Sequence, residues 1–422
     1  MTSNDLKSAL EQCVRCGRCL SVCPVYGLTG WEGSAPRGKV ALMRADLHGE
    51  SGLADRMKDL LSHCVGCGAC AEICASGVKT DELIQAGRSL ALGEGGLARL
   101  QGMLGRDLLS RGPVARRLWQ NRDVFLRRVP PDSGLNFRLP LPGFDPERWL
   151  PGPAERSFLE TWEPAPSTGD GPTVALFVGC VANYLRPESA RAAARLLQAA
   201  GARIVVPLDQ VCCGKPAAGA GDLRTARYLA QKNMAVLNAT AFDYVAAFCA
   251  TCSHQLQTYP DLAGRVRDLS DLLVNVLKWK PAAPPGRPLR VFYHDPCHLR
   301  RKQGVYREPR DLIESLPGVE LVGADQAPVC CGYGGVFNLW HYDMSRRLFE
   351  RRAETILPHQ PDLAVTSCSG CWLQFQDGIH RTGAPFQAQP LVELLAERAL
   401  AGIACETSAG RKASDAPTSQ IS

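Results

Sequence analysis

The sequence predicts an α+β multidomain chain: an N-terminal α-helical domain dense in cysteine, then a duplicated α/β cysteine-rich domain. Three observations carry the prediction. Eight of the 19 cysteines stand between residues 8 and 90, in two runs of identical spacing. Ten more recur after residue 172 as two sets of five, at a nearly constant offset. Around those sets, short β-rich runs alternate with amphipathic helical stretches, the pattern of a parallel sheet flanked by helices.

Length and composition bound the rest. With 422 residues the chain has room for two or three hydrophobic cores, and 45% hydrophobic with 21% charged residues is ordinary for a globular protein. Nineteen cysteines, an odd number gathered in tight runs, do not suit a secreted disulfide scaffold. Met1-Thr-Ser-Asn-Asp-Leu-Lys7 lacks the apolar stretch of a signal peptide, so the expected compartment is the reducing cytoplasm. No apolar run approaches the roughly 20 residues of a transmembrane helix. A net charge of +6 with no basic stripe interleaved with aromatics argues against nucleic acid. It leaves open an acidic partner, or a peripheral place at the inner face of the cell membrane.

The first domain is assigned to residues 1–90. Cys13-Val-Arg-Cys16-Gly-Arg-Cys19-Leu-Ser-Val-Cys23-Pro24 fits C-x2-C-x2-C-x3-C-P, and Cys64-Val-Gly-Cys67-Gly-Ala-Cys70-Ala-Glu-Ile-Cys74 repeats the spacing. Both resemble the runs of bacterial ferredoxins, in which three close thiolates hold three irons of a [4Fe–4S] cube and the fourth Cys ligates the other cluster. That rule assigns Cys13, Cys16, Cys19 and Cys74 to one cluster, and Cys23, Cys64, Cys67 and Cys70 to the second. Gly17, Gly66, Gly68 and Ala69 let the backbone approach closely, while Ala75 stands where the family usually has Pro. Zinc is the alternative, but so compact a run packs its ligands too closely for paired-loop zinc geometry. The 40 residues between Cys23 and Cys64 look helical over 37–47 and 53–62, which favours an α-helical dicluster domain.

Residues 91–171 contain no Cys. They begin Leu- and Arg-rich and turn Pro-rich, a helical segment followed by a linker. The duplication follows as domains at 172–285 and 286–402, and a polar tail at 403–422 is expected to be disordered. Cys180 pairs with Cys297 at an offset of 117, Cys212 with Cys330 at 118, and Cys249 with Cys368 at 119. Each copy reads as strand, Cys, helix, strand, Cys-Cys-Gly turn, helix, strand and Cys-x-x-Cys loop. Ligands of such sheets bind beyond the carboxyl ends of the strands, which gathers Cys180, Cys212, Cys213, Cys249 and Cys252 of one copy, and Cys297, Cys330, Cys331, Cys368 and Cys371 of the other. Soft thiolates at this density suit iron–sulfur centres or zinc.

The patterns C-x31-CCG-x34-C-x2-C and C-x32-CCG-x35-C-x2-C resemble the paired cysteine-rich (CCG) domains of heterodisulfide reductases. The whole layout, over about 8–90 and 172–400, resembles the iron–sulfur subunit of bacterial glycolate oxidase and related 2-hydroxyacid (lactate) dehydrogenases. Ala35-Pro-Arg-Gly-Lys-Val-Ala-Leu-Met43 is similar to that family's bridging segment. The resemblance implies two [4Fe–4S] clusters, FAD confined to a partner subunit that oxidises glycolate or lactate, and passage of electrons to a quinone-linked or membrane-associated acceptor. It also implies one or two further non-cubane clusters in the five-Cys sets. Both sets are complete here, unlike those of many glycolate-oxidase subunits, which keeps open a catalytic disulfide reductase. A zinc-containing interaction module is a third reading.

Other features carry less. Gly332-Tyr-Gly334-Gly335 lacks GxGxxG spacing, so it supports no dinucleotide site; its glycines are expected to bring N–H groups to a cluster. His254, His294 and His298 read first as satisfied structural histidines, with proton relay or hydrogen-bond donor as the alternative. Arg116, Arg117, Arg122, Arg127 and Arg128 read as a solvated helix face rather than a docking site. Cys405 belongs to no motif.

Overall fold

The computed structural model describes residues 3–49, 54–92, 96–121, 145, 147–164, 170–281, 286–324 and 328–400. The expected tail, Cys405 and Arg122, Arg127 and Arg128 lie outside the described residues. In the N-terminal domain, helices Ser3–Glu11, Pro36–Leu47, Ala54–Ser62 and Thr80–Ala91 enclose a core of Leu6, Leu10, Val40, Met43, Leu61, Leu83 and Ile84. The stretch between the two Cys runs is thus helical, as the sequence suggests for 37–47 and 53–62. Pro36 opens its helix at the first turn, where a missing N–H costs nothing. Spacing of three and four residues then puts Pro36, Lys39, Val40 and Met43 on the buried face. The Cys runs form loops on either side, each closed by a short helix, Pro24–Thr29 or Ala69–Glu72.

Residues 91–171 contribute helices Gly96–Leu109, Pro113–Gln120 and Phe158–Thr161 among the described residues. Arg116 and Arg117 are exposed on the second of these. Two parallel sheets follow. β1 (Thr173–Phe177), β2 (Arg203–Val205), β3 (Tyr244–Ala247) and β4 (Val266–Asp268) order as β2-β1-β3-β4. β5 (Leu289–His294), β6 (Val319–Val322), β7 (Leu363–Thr366) and β8 (Gln387–Pro390) repeat this as β6-β5-β7-β8. Helices cover both faces, so the central strands are apolar throughout: Val174, Ala175, Leu176 and Phe177 are all buried. Each sheet has one strand more than the three the sequence reveals. β4 and β8 are short edge strands carrying Arg267 or Gln387 and Gln389, and give no β-rich run.

The two halves share a core. β1, β3, β5 and β7 contribute to one apolar cluster, and helix Pro187–Ala199 of the first half packs on Leu391–Ala399 of the second. Arg186 grips Glu393 with two N–H groups at 2.9 and 2.7 Å, and Ser189 Oγ donates to the same carboxylate. The carboxylate is nearly inaccessible to water, so the bidentate pair holds more than a surface ion pair would. No described helix is long and apolar enough to cross a membrane.

The N-terminal domain docks on both halves. Arg301 reaches Glu72 at 2.8 Å and Lys302 reaches Asp81 at 2.6 Å, from the helix that Cys297 begins. Arg88 binds four backbone carbonyls: Leu61 at 2.8 Å, Ser62 at 3.2 Å, Cys64 at 2.6 Å and, across the boundary, Gly219 at 2.7 Å. Arg88→Met would leave those acceptors unmatched in a buried place. A loss of about 3 kcal/mol is expected, read as a lower denaturant midpoint; an unchanged midpoint would mean that water replaces the guanidinium without loss.

Candidate iron–sulfur centres

Local geometry makes each N-terminal loop a sulfur-binding cradle. Tyr26 N–H donates to Cys23 Sγ at 3.4 Å, Gly66 N–H to Cys64 Sγ at 3.4 Å and Val78 N–H to Cys74 Sγ at 3.3 Å. The loop after Cys74 closes without the missing proline, because Gly77 N–H also bonds Cys74 O at 3.1 Å. Two cavities result. Cys13, Cys16, Cys19 and Cys74 line one, Cys23, Cys64 and Cys67 line the other, and Cys70 borders both.

The ten later cysteines all follow strand ends and come together more closely than two separate copies would require. All ten line a single cavity of about 240 Å³ between the halves. Within it Cys331 and Cys371 sulfurs are 3.2 Å apart, and Cys249 hydrogen-bonds Cys368 across the boundary between halves. Thr251 Oγ1 of the first half lies 3.3 Å from Cys368 Sγ of the second and 3.1 Å from His298 Nδ1. His254 stacks on His298 with ring centroids 5.2 Å apart. His294 is buried and hydrogen-bonds Cys331, so one ring nitrogen is satisfied as the sequence suggests, while Nδ1 has no hydrogen-bond partner.

The N-terminal cradle touches this cavity. Cys330 hydrogen-bonds Cys67, which draws the Cys67 thiol down to about 7 and pushes Cys330 up. Gly334 makes the contact possible. Its φ is +56°, and a Cβ there would lie 3.0 Å from Val65 Cα. Gly332 N–H donates to Cys330 Sγ at 3.4 Å, the role expected of this glycine-rich turn.

Electrostatics decide what the sulfurs can hold. Burial pushes the thiols of Cys70 and Cys297 up strongly and takes Cys23 to about 11. At these three positions a thiolate is costly without positive charge beside it, whereas hydrogen bonds with neighbouring thiols draw Cys213, Cys249 and Cys331 down. The protein provides some of that charge. Lys39, almost wholly buried, lines the second cavity; burial lowers its ammonium while Cys64 and Cys23 draw it up. Lys215 borders the ten-thiol cavity under the same opposition, with Asp81 and Cys213 drawing it up. Cationic iron suits this donor set: clustered soft thiolates, backbone N–H groups on sulfur, and lysines at the margin. Lys39, Arg88 and Lys215 had no signal as single charges in ordinary helices; only Lys39's place on an otherwise apolar face hinted at it.

Thiol sets of this number on this fold define an iron–sulfur electron-transfer subunit of an oxidoreductase complex. The 4Fe-4S dicluster domain family matches residues 9–78, and the CCG cysteine-rich domain family matches residues 174–257 and 291–376. A protein of Bacillus subtilis named as a probable glycolate oxidase iron–sulfur subunit is 30% identical, over 94% of this chain and 96% of its own length. One of the subunits of the dihydromethanophenazine:CoB–CoM heterodisulfide reductase of Methanosarcina barkeri is 26% identical, over 92% of this chain and 93% of its own. Lactate utilization protein A of Geobacillus thermodenitrificans is 32% identical, over 53% of this chain and 99% of its own. The chain belongs to the family of the glycolate oxidase iron–sulfur subunit, which joins a dicluster domain to two CCG domains.

Gly334→Val tests the seam between these parts. A β-branched residue at positive φ, with Val65 in its way, is expected to part the two loops. In metal-free protein the alkylation of Cys67 and Cys330 should then quicken severalfold; unchanged labelling would show that the loops do not depend on this glycine.

Proposed function

We propose that this chain carries electrons from a partner FAD subunit that oxidises a 2-hydroxy acid, glycolate or lactate, toward a quinone-linked acceptor. In this reading Cys13, Cys16, Cys19 and Cys74 hold one [4Fe–4S] cluster, and Cys23, Cys64, Cys67 and Cys70 hold another. The two five-thiol sets hold further iron–sulfur centres. When bound, such clusters take up and release single electrons, which divides the electron pair of a reduced flavin. The chain itself binds the centres, keeps water from them, and sets their potentials with buried cations and N–H groups.

The observation that carries the proposal is continuity. Cys70 borders both N-terminal cavities, Cys67 hydrogen-bonds Cys330, and Cys368 hydrogen-bonds Cys249. Each sulfur set is therefore within contact of the next, from the exposed Cys16 inward to the first CCG domain. The membrane is reached from the cytoplasmic face, through the partner or peripherally. A second reading is supported by the completeness of the ten-thiol cavity: a disulfide-reducing subunit whose substrate meets the CCG centres.

Anaerobic co-purification from the native host tests the first reading. A flavoprotein partner, identified by mass spectrometry, and bleaching of the brown chromophore by glycolate or lactate are expected. A colourless, zinc-containing chain would end both redox readings. A new EPR signal on thiol–disulfide treatment, lost in Cys331→Ala, would favour the second.

A further inference from the structure

The two CCG halves are alike in their cysteines and unlike in what stands behind them. β1 ends at Phe177, three residues before Cys180, and β5 ends at His294, three residues before Cys297. Register makes the two positions equivalent. Phe177 pairs with Ala247, two residues ahead of Cys249, and His294 pairs with Thr366, two residues ahead of Cys368. Both side chains are about 1% exposed. A phenyl ring needs no partner there and joins the apolar packing around Cys212 and Cys213. An imidazole does need one, and a buried unmatched nitrogen costs roughly 1–3 kcal/mol, so its presence calls for a reason.

The surroundings supply one. A ring nitrogen of His294 and the sulfurs of Cys331 and Cys371 all lie within 4.8 Å of one another, close enough to share a metal ion. The ring hydrogen-bonds Cys331, and its Nδ1 has no hydrogen-bond partner. Phe375, with its ring centroid 5.1 Å away, packs against the imidazole and limits its rotation. Arg352, 2% exposed and with Nε unpartnered, adds a positive charge on the same side. The matching stretch of the first half's helix, at offsets of 119 and 118, has the uncharged Asn233 and Met234.

We propose that the second cysteine set is a six-donor site, in which a ring nitrogen of His294 ligates the same iron–sulfur centre as Cys331 and Cys371, while the first set has thiols alone. The proposal rests on the reading that both sets hold iron–sulfur centres. Where the neutral nitrogen takes the place of one of the five thiolates, the centre is less negative than one held by thiolates alone, and its reduction potential rises. The second site is then the stronger electron acceptor of the two, and it is the one that Cys67 touches through Cys330.

The experiment uses the full chain, purified anaerobically after labelling with ¹⁵N-histidine and reduced stepwise. Pulsed EPR is expected to find a nitrogen coupling of ligand strength in one signal beyond those of the dicluster domain. His294→Phe, which installs the first half's residue, and His294→Gln should each abolish that coupling and move that signal's midpoint to more negative potential, with the dicluster midpoints unchanged. Iron well above the about eight atoms of two cubanes, with no such coupling or only the weak coupling of a hydrogen-bonded nitrogen, overturns the His294 proposal and leaves the two-site reading standing. Iron at about eight with no further signal overturns both.

Discussion

Ten thiols packed against one another in a buried cavity cannot all ionise unless positive charge arrives with them, and the rest of the molecule is arranged around that requirement. Burial alone drives Cys70 and Cys297 toward the protonated form, and neighbouring thiols raise the cost of each further negative charge. The chain offers buried lysines at the margins but too few to balance the sulfurs, which leaves the balance to iron. Apolar packing behind the thiols, with Phe177 and Tyr259 on one side and Phe292 and Phe375 on the other, keeps water from relieving the charge instead.

A parallel sheet is a suitable frame for this task. Its strands end on one edge, so residues from three separate loops converge without any loop being long. Duplication doubles the edge, and the shared core, with Arg186 gripping Glu393, fixes the two edges face to face. The helical N-terminal domain contributes its sulfurs from loops instead. It is held by polar contacts at its rim, Arg88 on carbonyls, Arg301 on Glu72 and Lys302 on Asp81, and by apolar packing of Val25 and Val65 with Phe337 and Leu348. Despite burial of the ammonium, Asp81 beside it keeps Lys302 above the ordinary lysine range.

Much of this was legible in the sequence, because the chemistry is local. Cys spacing within a dozen residues constrains which thiols can meet, and the strand–helix alternation places Cys180, Cys249 and their counterparts at strand ends. The helical bridge between Cys23 and Cys64 was legible in its length and in the helical look of 37–47 and 53–62. What stayed hidden depends on surfaces meeting. Nothing in either copy announces that Cys249 and Cys368 will touch, since that contact follows from how two helices, 187–199 and 391–399, pack across the halves. The meeting of Cys67 with Cys330 rests on a single missing side chain at Gly334. β4 and β8 give no β-rich run because each is a strand of only three or four residues, carrying Arg267 and Asp268 or Gln387 and Gln389.

Duplication with divergence then explains why the two CCG halves should not behave alike. Identical sites in contact would share an electron evenly and give a transfer chain no direction. Here the halves differ in the residues that surround their cysteines. The first has Lys215 and the carbonyl of Gly219 facing the N-terminal domain, with Phe177 behind its thiols. The second has Arg301 and Lys302 on its leading helix, Arg352 at its back and His294 behind its thiols. Glu72 and Asp81 offset Arg301 and Lys302, so it is the buried Arg352 whose charge acts on the second half's sulfurs, and positive charge near a reducible centre favours the added electron. The ligands were copied, and their surroundings were not.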